Sequence, residues 1–157
     1  MTANLITREG FETLNSRLFE MTTIGRIEVA KEIETARGFG DLSENAEYQY
    51  AKEKQGQLER KAAEIGDYLM NCEIVEGITN TSGIACFGNR VKIINLETDE
   101  VQTFKIVGER ESDIKMEKIS YRAPLGRELM GKRVGDDIEL VTPSGERFFE
   151  ILEIFSY

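Results

Sequence analysis

Histidine and tryptophan are absent from the 157 residues, and proline and cysteine occur only twice each. Without imidazole there is no Ser/His or Cys/His nucleophile pair, and no side chain whose ordinary pKa suits acid–base work near neutral pH. Cys72 and Cys86 lack CxxC spacing and have no histidine partners. They read as buried apolar thiols rather than a zinc site or a disulfide framework. No run approaches the roughly 20 apolar residues of a membrane-spanning helix. Residues 1–10 lack the apolar stretch and cleavage pattern of a signal peptide. These absences predict a soluble, cytoplasmic protein with no membrane partner.

Hydrophobic residues make up 40% of the chain and charged residues 31%, enough to build a core under a well-solvated surface. The formal net charge is −9. Affinity for phosphate rests on clustered Lys and Arg, so an acidic chain meets DNA or RNA only locally, or through a larger partner. With histidine gone, the chemistry left is that of carboxylates, working with a hard cation such as Mg²⁺.

The first part of the chain carries helical periodicity. Thr7 is placed to cap a helix, with Glu9 and Glu12 near the positive end of its dipole. Phe11, Leu14, Leu18 and Met21 form one stripe. A kink or break is expected near Gly25, since Gly in a helix interior costs about 1 kcal/mol relative to Ala. The stripe resumes at Ile27, Ala30, Ile33 and Ala36 and stops at Gly38, a C-cap residue. A second pattern runs through Tyr48, Ala51, Gln55, Leu58, Ala62, Ile65, Leu69 and Cys72 in alternating steps of three and four, as in a coiled coil. Residues 44–72 would span about 43 Å as one helix. The two arms read as an antiparallel hairpin over residues 1–76. A plain oligomerising coiled coil fits the heptads alone equally well.

Beyond a polar linker at residues 77–83, β-type segments take over. Residues 84–96 and 101–107 flank a turn at Glu97–Glu100. Pro124 and Gly131 bracket a short helix. Residues 137–142 and 147–155 form a closing hairpin, with Phe148, Ile151 and Phe155 as core. This predicts a second domain over 84–157, of α+β class with an antiparallel sheet.

Between the helical arms lies Gly38-Phe39-Gly40-Asp41-Leu42-Ser43-Glu44-Asn45-Ala46-Glu47-Tyr48. Asp41 and Glu44 at this spacing can form a capping box. Alternatively Ser43 takes the cap and leaves Asp41 free. No lysine stands beside the two carboxylates, so both are expected to be ionised and able to share one Mg²⁺. Two carboxylates make an incomplete site, and a partner must supply the other ligands. Arg37, Lys52 and Lys54 flank the tip and Tyr48 offers a ring for stacking. Each is equally consistent with an ordinary solvated helix face.

The run Ala36-Arg37, Gly40 to Tyr48 and Lys52-x-x-Gln55 resembles the tip of the GreA-type bacterial transcript cleavage factors. Phe87-Gly88, Ile119-Ser120-Tyr121, Pro124-Leu125-Gly126, Leu129 to Lys132, Gly135-Asp136 and Thr142-Pro143-x-Gly145 are similar to that family's C-terminal domain. The resemblance implies a coiled-coil hairpin followed by an FKBP-like domain. It implies a transcription elongation factor that docks on bacterial RNA polymerase through Ser120 and Pro124 and enters the secondary channel. There Asp41 and Glu44 would be the catalytic and metal-binding pair, sharing Mg²⁺ with the polymerase active site. Arg37, Asn45, Tyr48 and Lys52 would contact RNA or the polymerase active site. Such a factor is no enzyme itself. It activates the polymerase's own cleavage of the 3′ end of backtracked nascent RNA and so rescues arrested complexes. It would act as a monomer, without a stable cofactor of its own. Arg37 and Lys52 stand among Glu34, Glu47 and Glu53, which predicts short released fragments. Two positions depart from the family pattern: Arg26-Ile27-Glu28 where the first arm often has Arg-Pro-x, and Ala123 where Ser often precedes the docking proline. Two competing readings remain, a channel-occupying regulator without cleavage and a prolyl isomerase.

Overall fold

The structure is a computed structural model that describes residues 3–76 and 82–156. The chain forms two compact units, Phe11–Asn71 and a second made of residues up to Gly10 together with Cys72–Tyr157. The linker expected at 77–83 lies outside the described residues except for Ser82 and Gly83.

The first unit is a helical hairpin. Its first arm begins in α1 (Arg8–Glu20) and ends in α2 (Arg26–Arg37); α3 (Ala46–Met70) is the return arm. Of the kink or break expected near Gly25, no break occurs, but the regular α-helix is interrupted there. A π-helical segment, Met21–Gly25, carries the chain from α1 into α2 with right-handed helical torsions at Glu20, Gly25 and Arg26. Two threonines in it turn back onto the preceding turn. Thr22 Oγ1 donates to Leu18 O at 2.9 Å and Thr23 Oγ1 to Phe19 O at 2.7 Å. Such back-bonding competes with the regular ladder, and a π turn takes up one extra residue.

That extra residue shifts the phase of the buried stripe. Val29, Ile33 and Ala36 are buried, whereas Ile27 is 58% exposed and Ala30 is also exposed. In α3 the heptad positions Ala51, Ala62, Ile65 and Leu69 are buried, and Tyr48, Gln55 and Leu58 are half-buried. Val29, Ile33 and Ala51 form a cluster between the arms, with Tyr48 and Leu58 packed against it. Two exposed ion pairs also join the arms. Arg26 forms a two-pronged pair with Glu59 at 2.8 and 3.0 Å, and Lys54 meets Glu32 at 2.7 Å.

Among the described residues the second unit contains two sheets. β1 (Asn4–Thr7) and β2 (Cys72–Val75) pair in parallel, so residues expected within an all-helical region are strands. Parallel strands need a long crossover, and the whole helical hairpin supplies it. Cys72 opens β2 rather than closing the heptad run. Neither cysteine is in a disulfide, and both are half-buried instead of fully buried.

The main sheet comprises β3 (Arg90–Asn95), β4 (Val101–Val107), β5 (Lys118–Ser120), β6 (Asp137–Thr142) and β7 (Gly145–Phe155), in the order β5-β4-β3-β7-β6. It is mixed, not purely antiparallel, because β5 pairs in parallel with β4. Two short 3₁₀ turns, Glu109–Glu111 and Ile114–Met116, occupy the connection that returns the chain to the same end. The expected turn at 97–100 is organised by Asn95, whose Oδ1 accepts from Glu97 N and Thr98 N at 2.9 and 3.2 Å.

Val91, Ile93, Phe104, Ile106, Ile138, Phe149 and Ile151 form the core together with Leu129 of α4 (Pro124–Leu129). Burying each such side chain contributes about 1.5–3 kcal/mol. Phe148 and Phe155 were expected there, but each is 37% exposed. Strand alternation places Phe149 and Ile151 on one face and Phe148 on the other. A register shift between Lys92 and Ile93 against β7 then changes the alternation before Phe155.

Candidate functional site

The turn between α2 and α3 is shaped by two glycines and held by polar side chains. Gly38 is the C-cap of α2 but keeps right-handed torsions, φ −66° and ψ −13°. The chain reverses two residues later at Gly40, whose φ of 119° is favoured only for glycine. Asp41 follows at once. Its Oδ1 accepts both the backbone N–H of Ser43 at 3.0 Å and the Ser43 hydroxyl at 2.9 Å. These two bonds, the backbone one foremost, favour the ionised form and hold the Asp41 carboxyl below its ordinary pKa.

The start of α3 is capped by neither Ser43 nor a reciprocal Asp41/Glu44 pair. Asn45 is the cap, and its Oδ1 accepts from Tyr48 N at 3.0 Å. The other end of the same amide, Nδ2, donates to Ala36 O in the last turn of α2. Gln49 Nε2 donates to Leu42 O at 3.2 Å. Capping is thus settled without either carboxylate, and Glu44 is exposed with no hydrogen bond or ion pair to another described residue. Asp41, Glu44 and Glu47 line one open hollow together with Phe39, Asn45 and Ala46.

This donor set suits a hard divalent cation in kind but not in number. Among the described residues no group of three or more acidic, histidine or cysteine side chains is arranged to hold a metal. Six or more oxygen ligands are usual for Mg²⁺ or Ca²⁺, and Mg²⁺ keeps several waters when only one or two carboxylates bind it. Asp41 and Glu44 by themselves supply fewer oxygens than such an ion takes.

The flanking residues are distributed as follows. Arg37 is exposed, and its guanidinium lies 5.9 Å from the centre of the Tyr48 ring, a cation–π contact. Tyr48 is half-buried, since its ring also packs on the Val29, Ile33 and Ala51 cluster. Lys52 is exposed and donates to Gln55 Oε1 at 3.2 Å, while Lys54 is engaged by Glu32. In the second unit, Ser120 is buried and its Oγ accepts from Arg122 N at 3.0 Å. Pro124 is exposed at the start of α4. Sequence reasoning missed the double task of Asn45 and the part of Gln49. Their signal was a pair of side-chain amides four residues apart, which on a helix share a face.

The chain thus combines a helical hairpin whose turn carries exposed carboxylates with a mixed-sheet unit. The profile described as "Transcription elongation factor, N-terminal" matches residues 4–74, and that described as "Transcription elongation factor, GreA/GreB, C-term" matches residues 80–156. The chain belongs to the GreA/GreB family of transcription elongation factors. It is 44% identical to transcription elongation factor GreA of Syntrophobacter fumaroxidans over 149 residues, covering 95% of this chain and 96% of the relative. Identity to transcription elongation factor GreA of Orientia tsutsugamushi is 41% over 149 residues, covering 95% and 94%. The solved structure of GreA factor homolog 1 from Thermus thermophilus is 25% identical, with a TM-score of 0.43 over 98% of this chain and 99% of that one.

Proposed function

We propose that this protein is a transcript cleavage factor for bacterial RNA polymerase. In this reading the hairpin, acting as a coiled coil, enters the secondary channel. The sheet unit, in the FKBP-like fold of the family, stays at the rim and docks through the region of Ser120 and Pro124. The observation that carries the proposal is the pair Asp41 and Glu44, exposed at the turn and relieved of capping by Asn45. Family membership over nearly the whole chain supports the same conclusion.

Asp41 and Glu44 contribute oxygen ligands to a Mg²⁺ held jointly with the polymerase active site. When bound, such an ion polarises the phosphate and activates a water, as in two-metal displacement. The chain's own residues prepare for this. Ser43 keeps the Asp41 carboxylate ionised and fixed through one oxygen. Glu44 carries no internal partner that would have to be broken first. Arg37, held over the Tyr48 ring, and Lys52 supply the cationic and stacking contacts to extruded RNA or to the polymerase. The net charge of −9 fits this division of labour, since the polymerase carries the binding charge. The protein is thus not a nuclease itself, and acts as a cytoplasmic monomer. The scarcity of free cations at the tip favours short released fragments.

The test is direct. Added to a backtracked elongation complex with Mg²⁺, the protein should release short 3′ fragments and restore extension. Occupancy of the complex without fragment release would assign it instead to channel-occupying regulators, and absence of binding would refute both readings.

A further inference from the structure

The turn that carries Asp41 and Glu44 has few packing contacts of its own: Phe39 and Leu42 are 67% and 39% exposed, and Gly38 and Gly40 add backbone freedom. Yet it is tied at two points by side chains from the beginning of α3. Asn45 joins the last turn of α2 to the first free N–H groups of α3, through Ala36 O on one side and Tyr48 N at 3.0 Å on the other. Gln49 holds Leu42 O at 3.2 Å, between the two carboxylates in sequence. Asn45 is half-buried, and both ends of its amide are bonded to backbone beside the turn.

We propose that Asn45, assisted by Gln49, is a positioning residue that fixes the two carboxylates relative to the helical arms. It is not a contact to RNA or to the polymerase. Resting on the cleavage reading above, the inference names the device that gives that activity its geometry. Catalytic groups on a loose loop lose rate because the productive arrangement is only one of many. A clasp that spans both arms removes that freedom before the partner is met, which is preorganisation. Capping alone does not demand asparagine, because serine caps a helix about as well. What serine lacks is reach to the Ala36 carbonyl.

That difference supplies the experiment. Asn45→Ser in the full-length protein keeps a neutral N-cap and deletes the clasp. Three quantities are read: amide hydrogen exchange across residues 38–44 in the free protein, affinity for a backtracked elongation complex, and cleavage rate at saturating factor. The proposal expects faster exchange in the turn, affinity within about twofold of the parent, and a saturated cleavage rate lower by about tenfold. Gln49→Ala should move the same readouts in the same direction by less. Asn45→Ala, which also loses the cap, should show the rate loss together with faster exchange in the first turn of α3. Asp41→Ala and Glu44→Ala are run beside them. The proposal is overturned if Asn45→Ser cleaves at the parent rate, if exchange in the turn is unchanged, or if affinity falls in step with rate, the mark of a contact residue. Parent-rate cleavage by both carboxylate variants would overturn the cleavage reading itself and this inference with it.

Discussion

One oxygen of the Asp41 carboxylate is held by Ser43 twice, through the backbone N–H at 3.0 Å and through the hydroxyl at 2.9 Å. The pair explains why an exposed carboxylate sits below its ordinary pKa with no cation beside it. Ser43→Ala removes the hydroxyl bond and leaves the backbone bond. The Asp41 carboxyl should therefore move up part of the way towards the usual aspartate range. A carbon-13 NMR titration of the side-chain carboxyl reads this directly, and Ser43→Thr should restore the parent value.

Thr7 and Glu111 lie 104 positions apart yet form the joint between β1 and the turn after β4. Glu111 Oε2 accepts from Thr7 N at 3.1 Å and from Gly108 N at 2.8 Å, and Oε1 accepts from the Thr7 hydroxyl. Thr7 Oγ1 in turn accepts from Gly10 N at 3.0 Å, which caps α1 as the sequence predicts. Glu111→Ala strands these donors and should destabilise the protein by about 1–3 kcal/mol. Urea unfolding followed through the sheet unit should show a lower midpoint at an unchanged slope.

Gly126 has no room for a side chain. A Cβ there would lie 1.9 Å from the backbone oxygen of Ser120. Gly126→Ala must push α4 away from the turn after β5, at a cost of about 3 kcal/mol. On the docking proposed for the region of Ser120 and Pro124, binding to polymerase should weaken along with thermal stability. Calorimetry and a binding assay on the same preparation check both.

The ion pair between Arg26 and Glu59 gives the hairpin a pH dependence whose sign is fixed. The guanidinium, hydrogen-bonded to it, lowers the Glu59 pKa. The associated stability is present above the ordinary glutamate pKa and is lost as pH falls through the lowered one. Both side chains are about half exposed, so the effect is small. Melting curves of the parent and Glu59→Gln should differ at neutral pH and converge as pH falls below the depressed pKa. A difference that grows with acidification would contradict the assignment.

Much of this architecture is legible in the sequence where a period is sustained. Ala51, Ala62, Ile65 and Leu69 keep their places in the heptads, and Pro124 marks the start of α4. Reading fails where a single residue shifts a register. The extra residue of the Met21–Gly25 segment moves burial from Ile27 to Val29. Period-two alternation buries Phe149 in place of Phe148. β1 and β2 have four residues each and pair across the whole hairpin, so neither carries a local signal. At the tip, Ser43 and Asn45 are both able caps two residues apart. Only the path of the chain through Gly40 decides for Asn45 and leaves Ser43 to Asp41.

The measurement that bears most directly on the central claim is cleavage in a backtracked elongation complex with Asp41→Ala and Glu44→Ala proteins, each matched for occupancy of the complex. Neither carboxylate caps α3, and among the described residues the only bonds the Asp41 side chain makes are the two from Ser43, so both variants should bind as the parent does. Each should lose stimulation of 3′ fragment release by about 100-fold or more, the scale of removing a group that stabilises developing charge. Cleavage at the parent rate by either bound variant would contradict the shared-cation role of the tip.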